Sequence, residues 1–130
     1  MSRKVISVAA SVLLATGALV LPSTAQAAQG DCGSGYACMW EHAGYQGGGV
    51  SFQRYIPDLS LWSFTNGNRA DNAVSSVWNN GNYEDVCLFT GANGLGRSLR
   101  VGKKTWIDNL SSRGFNDQVS SAYFTGFRSC

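Results

Sequence analysis

The sequence has 130 residues, with ten Lys+Arg against eight Asp+Glu and a net charge of +2. Two of the basic residues, Arg3 and Lys4, lie in an amino-terminal leader, so the remainder carries eight charges of each sign and is neutral. That balance argues against broad electrostatic capture of nucleic acid, which needs a basic surplus or stripe; the short GKK run at 102–104 is too small to supply one.

Arg3 and Lys4 are followed by an apolar run from Val5 to Leu21 and then by PSTAQAA, with small residues at Ala25 and Ala27. This is the pattern of a secretory signal peptide. The run is nearly long enough to anchor in a bilayer, but a cleavage pattern follows at once and no charged stop-transfer segment does. The expectation is a leader over residues 1–28 and one domain over 29–130, secreted, monomeric and without membrane association after cleavage.

Four cysteines follow: Cys32, Cys38, Cys87 and Cys130. An even count in an exported chain reads as two disulfides. Three pairings are open. The favoured one joins Cys32 to Cys38 locally and Cys87 to Cys130, a closure worth about 4 kcal/mol on a chain-entropy account. Zinc is the competing chemistry, but there is no C-x-x-C pair and His42 is the only histidine.

Short alternating runs then read as strands: 37–40, 49–55, 73–78, 85–89, 97–101 and 118–124. Glycine clusters at 44–49, 66–68, 79–82 and 91–96 read as the turns between them. The segments 57–62 and 106–110 read as short helical turns or strands. Short strands with a turn every ten or so residues predict an all-β sandwich.

One phrase occurs twice. DNAVSSVW occupies 71–78 and NDQVSSAY occupies 116–123. Each has two Asx residues, two free positions, two serines and an aromatic. The surrounding order also repeats: an aromatic strand end, a glycine turn, a second strand, a Trp-containing connection, then the phrase. Two repeats of this kind in an all-β chain predict two Greek keys in one sandwich.

These residues resemble the βγ-crystallin superfamily. WEHAGYQG, with Trp40, Tyr45 and Gly47, matches its aromatic-x4-aromatic-x-Gly hairpin signature. FTGANGLG matches it at Phe89 and Gly96 but has Gly94 where the second aromatic belongs. Both repeated phrases match the superfamily's calcium signature. The whole chain is also similar to secreted peptidase inhibitors of the streptomycete metalloproteinase-inhibitor type, which share the leader, the size, the early Cys-Gly-Tyr-Cys-Trp opening and the crystallin-like fold. The resemblance implies a βγ-crystallin-like sandwich, two calcium sites and inhibition of an extracellular peptidase, a metallopeptidase first. It implies no particular inhibitory loop. It also implies that Tyr45 folds over Gly47, whereas the second hairpin, with Gly94, lacks a lid and should be looser.

The phrase suits calcium, a hard cation that takes six to eight oxygen ligands. By resemblance the ligands are Asp71, Asn72, Ser75, Asn116, Asp117 and Ser120, with backbone carbonyls at Glu41, Ala73, Thr90 and Gln118. One carboxylate per phrase predicts modest affinity, roughly 10⁻⁵–10⁻³ M. The competing account is turn chemistry alone, since Asx and Ser side chains fix tight bends without metal; Ser76 and Ser121 are expected to act in that way with or without calcium.

Other chemistries find less. Trp40, Trp62, Trp78 and Trp106 could stack on sugar rings, but such residues more often pack. Glu41 and His42 are adjacent, but neighbours at a strand end should point apart, and no nucleophile or second acid has a motif around it, so no enzyme is expected. GANGLG precedes a strand rather than a helix and fails as a dinucleotide loop. The alternative to inhibition is a calcium-stabilised structural module, or one that binds a cell surface or carbohydrate.

Overall fold

Eight strands form from these short runs in the computed structural model, which describes residues 29–130; the leader expected over 1–28 lies outside the described residues. They are β1 (Ala37–His42), β2 (Gln46–Phe52), β3 (Tyr55–Ile56), β4 (Ser76–Asn79), β5 (Val86–Phe89), β6 (Ser98–Val101), β7 (Thr105–Ile107) and β8 (Ser121–Phe124). Two four-stranded antiparallel sheets result, in the orders β2-β1-β4-β7 and β3-β8-β5-β6. Each sheet takes three strands from one half of the chain and one from the other. The all-β, two-Greek-key expectation is met, with one strand exchanged between the halves.

Alternation along the strands sends one face of each sheet into a shared core. Met39, Val77, Leu88 and Ala122 are fully buried there, with Ile56, Val86 and Phe115. The rings of Phe52 and Phe124 meet edge to face at 5.5 Å across the two sheets. Removing such side chains from water is the main favourable contribution to a fold of this size. Among the described residues the one fully buried amide, Asn79, is satisfied on every side. Its Nδ2 donates to the carbonyls of Glu84 and Val101, and its Oδ1 accepts from the Gly81 N–H.

Strand ends depart from expectation where glycine is present. The 44–49 cluster is not simply a turn, because Gln46–Gly49 belong to β2. These glycines are there for close approach: a Cβ on Gly48 would lie 2.5 Å from the Cβ of Phe64, and one on Gly49 would lie 3.2 Å from the Trp40 indole nitrogen. The strand expected over 49–55 breaks at Gln53–Arg54, and β3 crosses to the other sheet to pair with β8. The strands expected from 73 and 118 begin only at Ser76 and Ser121, because the phrases ahead of them are loops.

The 57–62 and 106–110 segments prove to be near-matches. One contains a 3-10 turn at Leu59–Leu61; the other is β7 followed by a 3-10 turn at Leu110–Arg113. Asp58 and Asn109 cap these turns alike, each side chain accepting from the N–H two residues on. Both favoured disulfides are present, Cys32–Cys38 and Cys87–Cys130, with Cα separations of 5.9 and 5.4 Å.

Candidate metal centres

The two phrases face one another and exchange bonds. The N–H of Asn72 donates to the Val119 carbonyl and that of Asp117 to the Val74 carbonyl, both at 3.0 Å. Asn72 and Asp117 hold matching left-handed backbones, with φ of 55° and 56°. Asn and Asp tolerate that region better than most residues, which suits an Asx to this position. Their side chains cross to the opposite repeat. The Ser75 hydroxyl donates to Asp117 Oδ1, and the Ser120 hydroxyl to Asn72 Oδ1, both at 3.2 Å.

Each serine is also fixed to a hairpin. The Ser75 N–H donates to the Trp40 carbonyl, beside Glu41, and the Ser120 N–H to the Phe89 carbonyl, beside Thr90. The next serines lock the hairpins themselves. Ser76 donates to the His42 carbonyl and accepts from the Tyr45 N–H. Ser121 donates to the Gly91 carbonyl and accepts from the Gly94 N–H. The expected turn role of Ser76 and Ser121 is what the bonds describe.

Two oxygen clusters follow: Ser75 with Asp117, tied to the first hairpin at Trp40 beside Glu41, and Ser120 with Asn72, tied to the second at Phe89 beside Thr90. Among the described residues no backbone N–H donates to the carbonyls of Ala73, Thr90 or Gln118. Asp71 Oδ1 is buried with no hydrogen-bond partner, the one such carboxylate oxygen among the described residues. A buried carboxylate oxygen without a partner, among clustered oxygen atoms, fits a hard cation. Asp71 Oδ2 accepts weakly from the neighbouring Asn72 amide at 3.4 Å, and Asn116 holds the corresponding place, half-buried, in the other phrase. All four cysteines are bridged, and among the described residues no three or more His, Cys, Asp or Glu are grouped as metal ligands.

The clusters differ electrostatically. The first has the Asp117 carboxylate. The second has the Asn72 amide with the Asp71 carboxylate next to it, and the Arg97 guanidinium donates to the Gln118 side chain and to the Gly114 carbonyl beside it. Arg97 also lies over the Phe115 ring at 4.9 Å.

The expectation that the second hairpin lacks a lid is corrected. Tyr45 and Gly94 hold the same backbone, φ 62° and 67°. Tyr45 packs its ring edgewise on Trp40 at 5.3 Å. At Gly94 the space is filled from elsewhere: a Cβ there would fall 1.9 Å from Arg128 Nε. Arg128 donates to the Gly94 carbonyl at 2.9 Å and lies over the Phe89 ring at 5.8 Å. The missing aromatic was the signal that another group closes this turn; nothing local pointed to Arg128.

Burial, with the Asp108 carboxylate as a lesser cause, pushes the Tyr45 phenol up to about 12. Glu41 and His42 do not point apart, because a register shift between Trp40 and His42 brings Nε2 within 3.7 Å of the carboxylate. The Glu41 carboxylate is taken up by the amides of Asn66 and Asn68, both at 2.7 Å. These bonds hold its pKa below the ordinary carboxylate range, with Gly48 and His42 adding to them. That engagement leaves it no free role as a general base.

Comparison with solved structures defines the class. The chain has a βγ-crystallin-like fold. A structure that bears on the evolution of the eye lens βγ-crystallin domain fold matches with a TM-score of 0.62 at 22 % identity, over 70 % of this chain and 85 % of that one. A βγ-crystallin from Ciona intestinalis matches with 0.57 at 20 % identity, over 69 % and 99 %. An archaeal βγ-crystallin matches with 0.56 at 16 % identity, over 71 % and 99 %. No curated protein matches. The family is narrower than the fold: residues 25–101 match peptidase inhibitor family I36, and the chain belongs to that family. It is therefore an inhibitor-family protein and not an enzyme.

Proposed function

We propose that residues 29–130 act, after removal of a 1–28 leader, as a secreted inhibitor of an extracellular peptidase, with a metallopeptidase as the first candidate. The observation that carries this is the match to peptidase inhibitor family I36, on a scaffold held by two disulfides. A rigid inhibitor loses little conformational freedom on docking, which leaves more of its contact energy for affinity. The test is titration of the secreted protein, with calcium present, against thermolysin-like, subtilisin-like and trypsin-like peptidases. Stoichiometric loss of one activity is expected; full rates throughout at micromolar excess would sink the reading.

Calcium is the second part of the proposal. Asp117, Ser75 and the Glu41 and Ala73 carbonyls would hold one ion. Asn72, Ser120 and the Thr90 and Gln118 carbonyls would hold the other, with Asp71 and Asn116 supporting. Bound calcium would neutralise the clustered oxygens and stabilise the folded state. At a hundredfold excess over Kd that is about 2.7 kcal/mol, a melting shift of roughly 10–20 °C. Calorimetric titration of chelator-treated protein, with melts in calcium and in magnesium, tests it. No heat and no shift would reduce the phrases to turn chemistry. The crossed Ser–Asx pairs equally favour a calcium-stabilised structural or surface-binding module, and the peptidase titration separates the two readings.

A further inference from the structure

Family membership does not say which surface meets a peptidase, and the exposed apolar side chains narrow the choice. Building on the inhibitor reading, we propose that Leu61 and Trp62 are the segment presented to the peptidase, with Leu61 entering an apolar specificity pocket.

Leu61 is 82 % exposed and the adjoining Trp62 is 40 % exposed. Three of the other exposed large apolar residues, Tyr55, Trp106 and Phe127, are partly covered by neighbours. Tyr55 stacks on Tyr123 and meets Phe127, and Trp106 lies against Trp78. Two adjacent apolar side chains in water, one of them tryptophan, form the kind of anchor that dominates protein interfaces.

The segment is also preorganised. Asp58 accepts from both the N–H and the hydroxyl of Ser60. The Leu61 N–H donates to the Asp58 carbonyl, the Trp62 N–H to the Leu59 carbonyl and the Ala70 N–H to the Trp62 carbonyl. Buried Ile56, Leu59 and Phe64 hold the arch on either side, and the Leu59 N–H bonds the Ser120 carbonyl. An arch fixed in this way has little left to order on binding.

Its surroundings suit an apolar partner. Residues Leu59 to Asn68 carry no charge. Trp62 also lines an open cleft of about 410 Å³, with Trp40, Val50, Ser63 and Thr65 and with Asp31 as its one charged side chain, which can receive the rim of the enzyme's active site. A pocket that takes a cationic side chain finds nothing here, so the target is a peptidase that accepts aliphatic side chains.

The rival positions are weaker. Leu95 is 60 % exposed, but it stands between Gly94 and Gly96 and has no large apolar side chain beside it in sequence. Tyr83 is 88 % exposed but has no large apolar side chain beside it in sequence.

The experiment measures inhibition constants of the secreted protein and of Leu61→Asp, Leu61→Ala, Tyr83→Ala and Leu95→Ala against the same three peptidases, with melting curves as the check on folding. The expectation is inhibition of the thermolysin-like or subtilisin-like enzyme and not the trypsin-like one. Leu61→Asp should weaken it by about 30-fold or more, the scale of an interface hot spot, with melting unchanged. Tyr83→Ala and Leu95→Ala should stay near wild type. Undiminished inhibition by Leu61→Asp, or loss confined to the Tyr83 or Leu95 variant, overturns the assignment and leaves the inhibitor reading standing. Wild-type protein that inhibits none of the three overturns both.

Discussion

The first hairpin is closed from within and the second from a distance. Tyr45 covers its own turn by packing on Trp40, whereas the Gly94 turn is closed by Arg128 over Phe89. Beneath the lids the two turns match, including the serine that bonds each. The difference shows that a fold can keep a backbone and change the chemistry that covers it. A local lid needs only the hairpin. A distant lid needs the chain that carries it to be held in place, and the Cys87–Cys130 bridge lies two residues beyond Arg128.

The largest effect should come from that bridge. Cys87→Ala with Cys130→Ala opens a sequence separation of 43 residues, and Cys32→Ala with Cys38→Ala opens one of 6. Chain entropy sets these at about 4 and about 2 kcal/mol. Denaturant melts of the two double variants should therefore rank in that order, and the reverse order would detach the second lid from its bridge.

The lids come next. Tyr45→Ala removes a buried aromatic and should cost about 3 kcal/mol. Arg128→Ala removes an exposed group that makes one charge-assisted bond and should cost about 1 kcal/mol. Gly94→Tyr should destabilise the parent, because Arg128 occupies the space, and should recover stability in an Arg128→Ala background. A double-mutant cycle with no coupling between Gly94 and Arg128 would break the comparison.

Base distinguishes the lids without mutation. The Tyr45 phenol has a folded pKa of about 12 against an ordinary 10.0. Its contribution is complete below pH 10 and is lost as pH rises from there toward 12, because the unfolded state releases the proton first. Amide exchange should therefore quicken around Trp40 and Tyr45 before it does around Phe89 and Gly94, and a Tyr45→Phe variant should lose that order.

The smallest expected effect concerns the paired oxygens. Under the calcium proposal the Asp117 cluster is the tighter site. Asn72→Asp should raise the weaker site's affinity and Asp117→Asn should lower the stronger one's, each by about tenfold. Titration calorimetry that found two equal sites in the parent would remove the electrostatic distinction.

Much of this was legible because the phrase occurs twice. A duplicated DNAVSS-type string sets a frame, and the strands, the serine ties and the Greek-key order follow from it. Both disulfides were legible because only one pairing combined a local bridge with a long staple. Strand limits were not, because glycine reads as a turn; at Gly48 and Gly49 it instead makes room for Phe64 and Trp40. Nor could sequence pair Ser75 with Asp117 and Ser120 with Asn72, since those bonds span 42 and 48 residues. Asn66 and Asn68 have the composition of an ordinary turn, and only their folded positions bring both amides onto Glu41.

The strand exchange between the sheets has a consequence in time. β1 cannot complete its sheet until β7 exists, and β8 has no edge partner until β3 has crossed to it. Neither half can reach its native state while the other is unmade. Contacts this far apart along the chain close slowly, because their loop entropy must be met before the contacts repay it. Closure of the two sheets is therefore expected to be slow. Until the halves meet, the arch that carries Leu61 lacks the Ser120 carbonyl that anchors it.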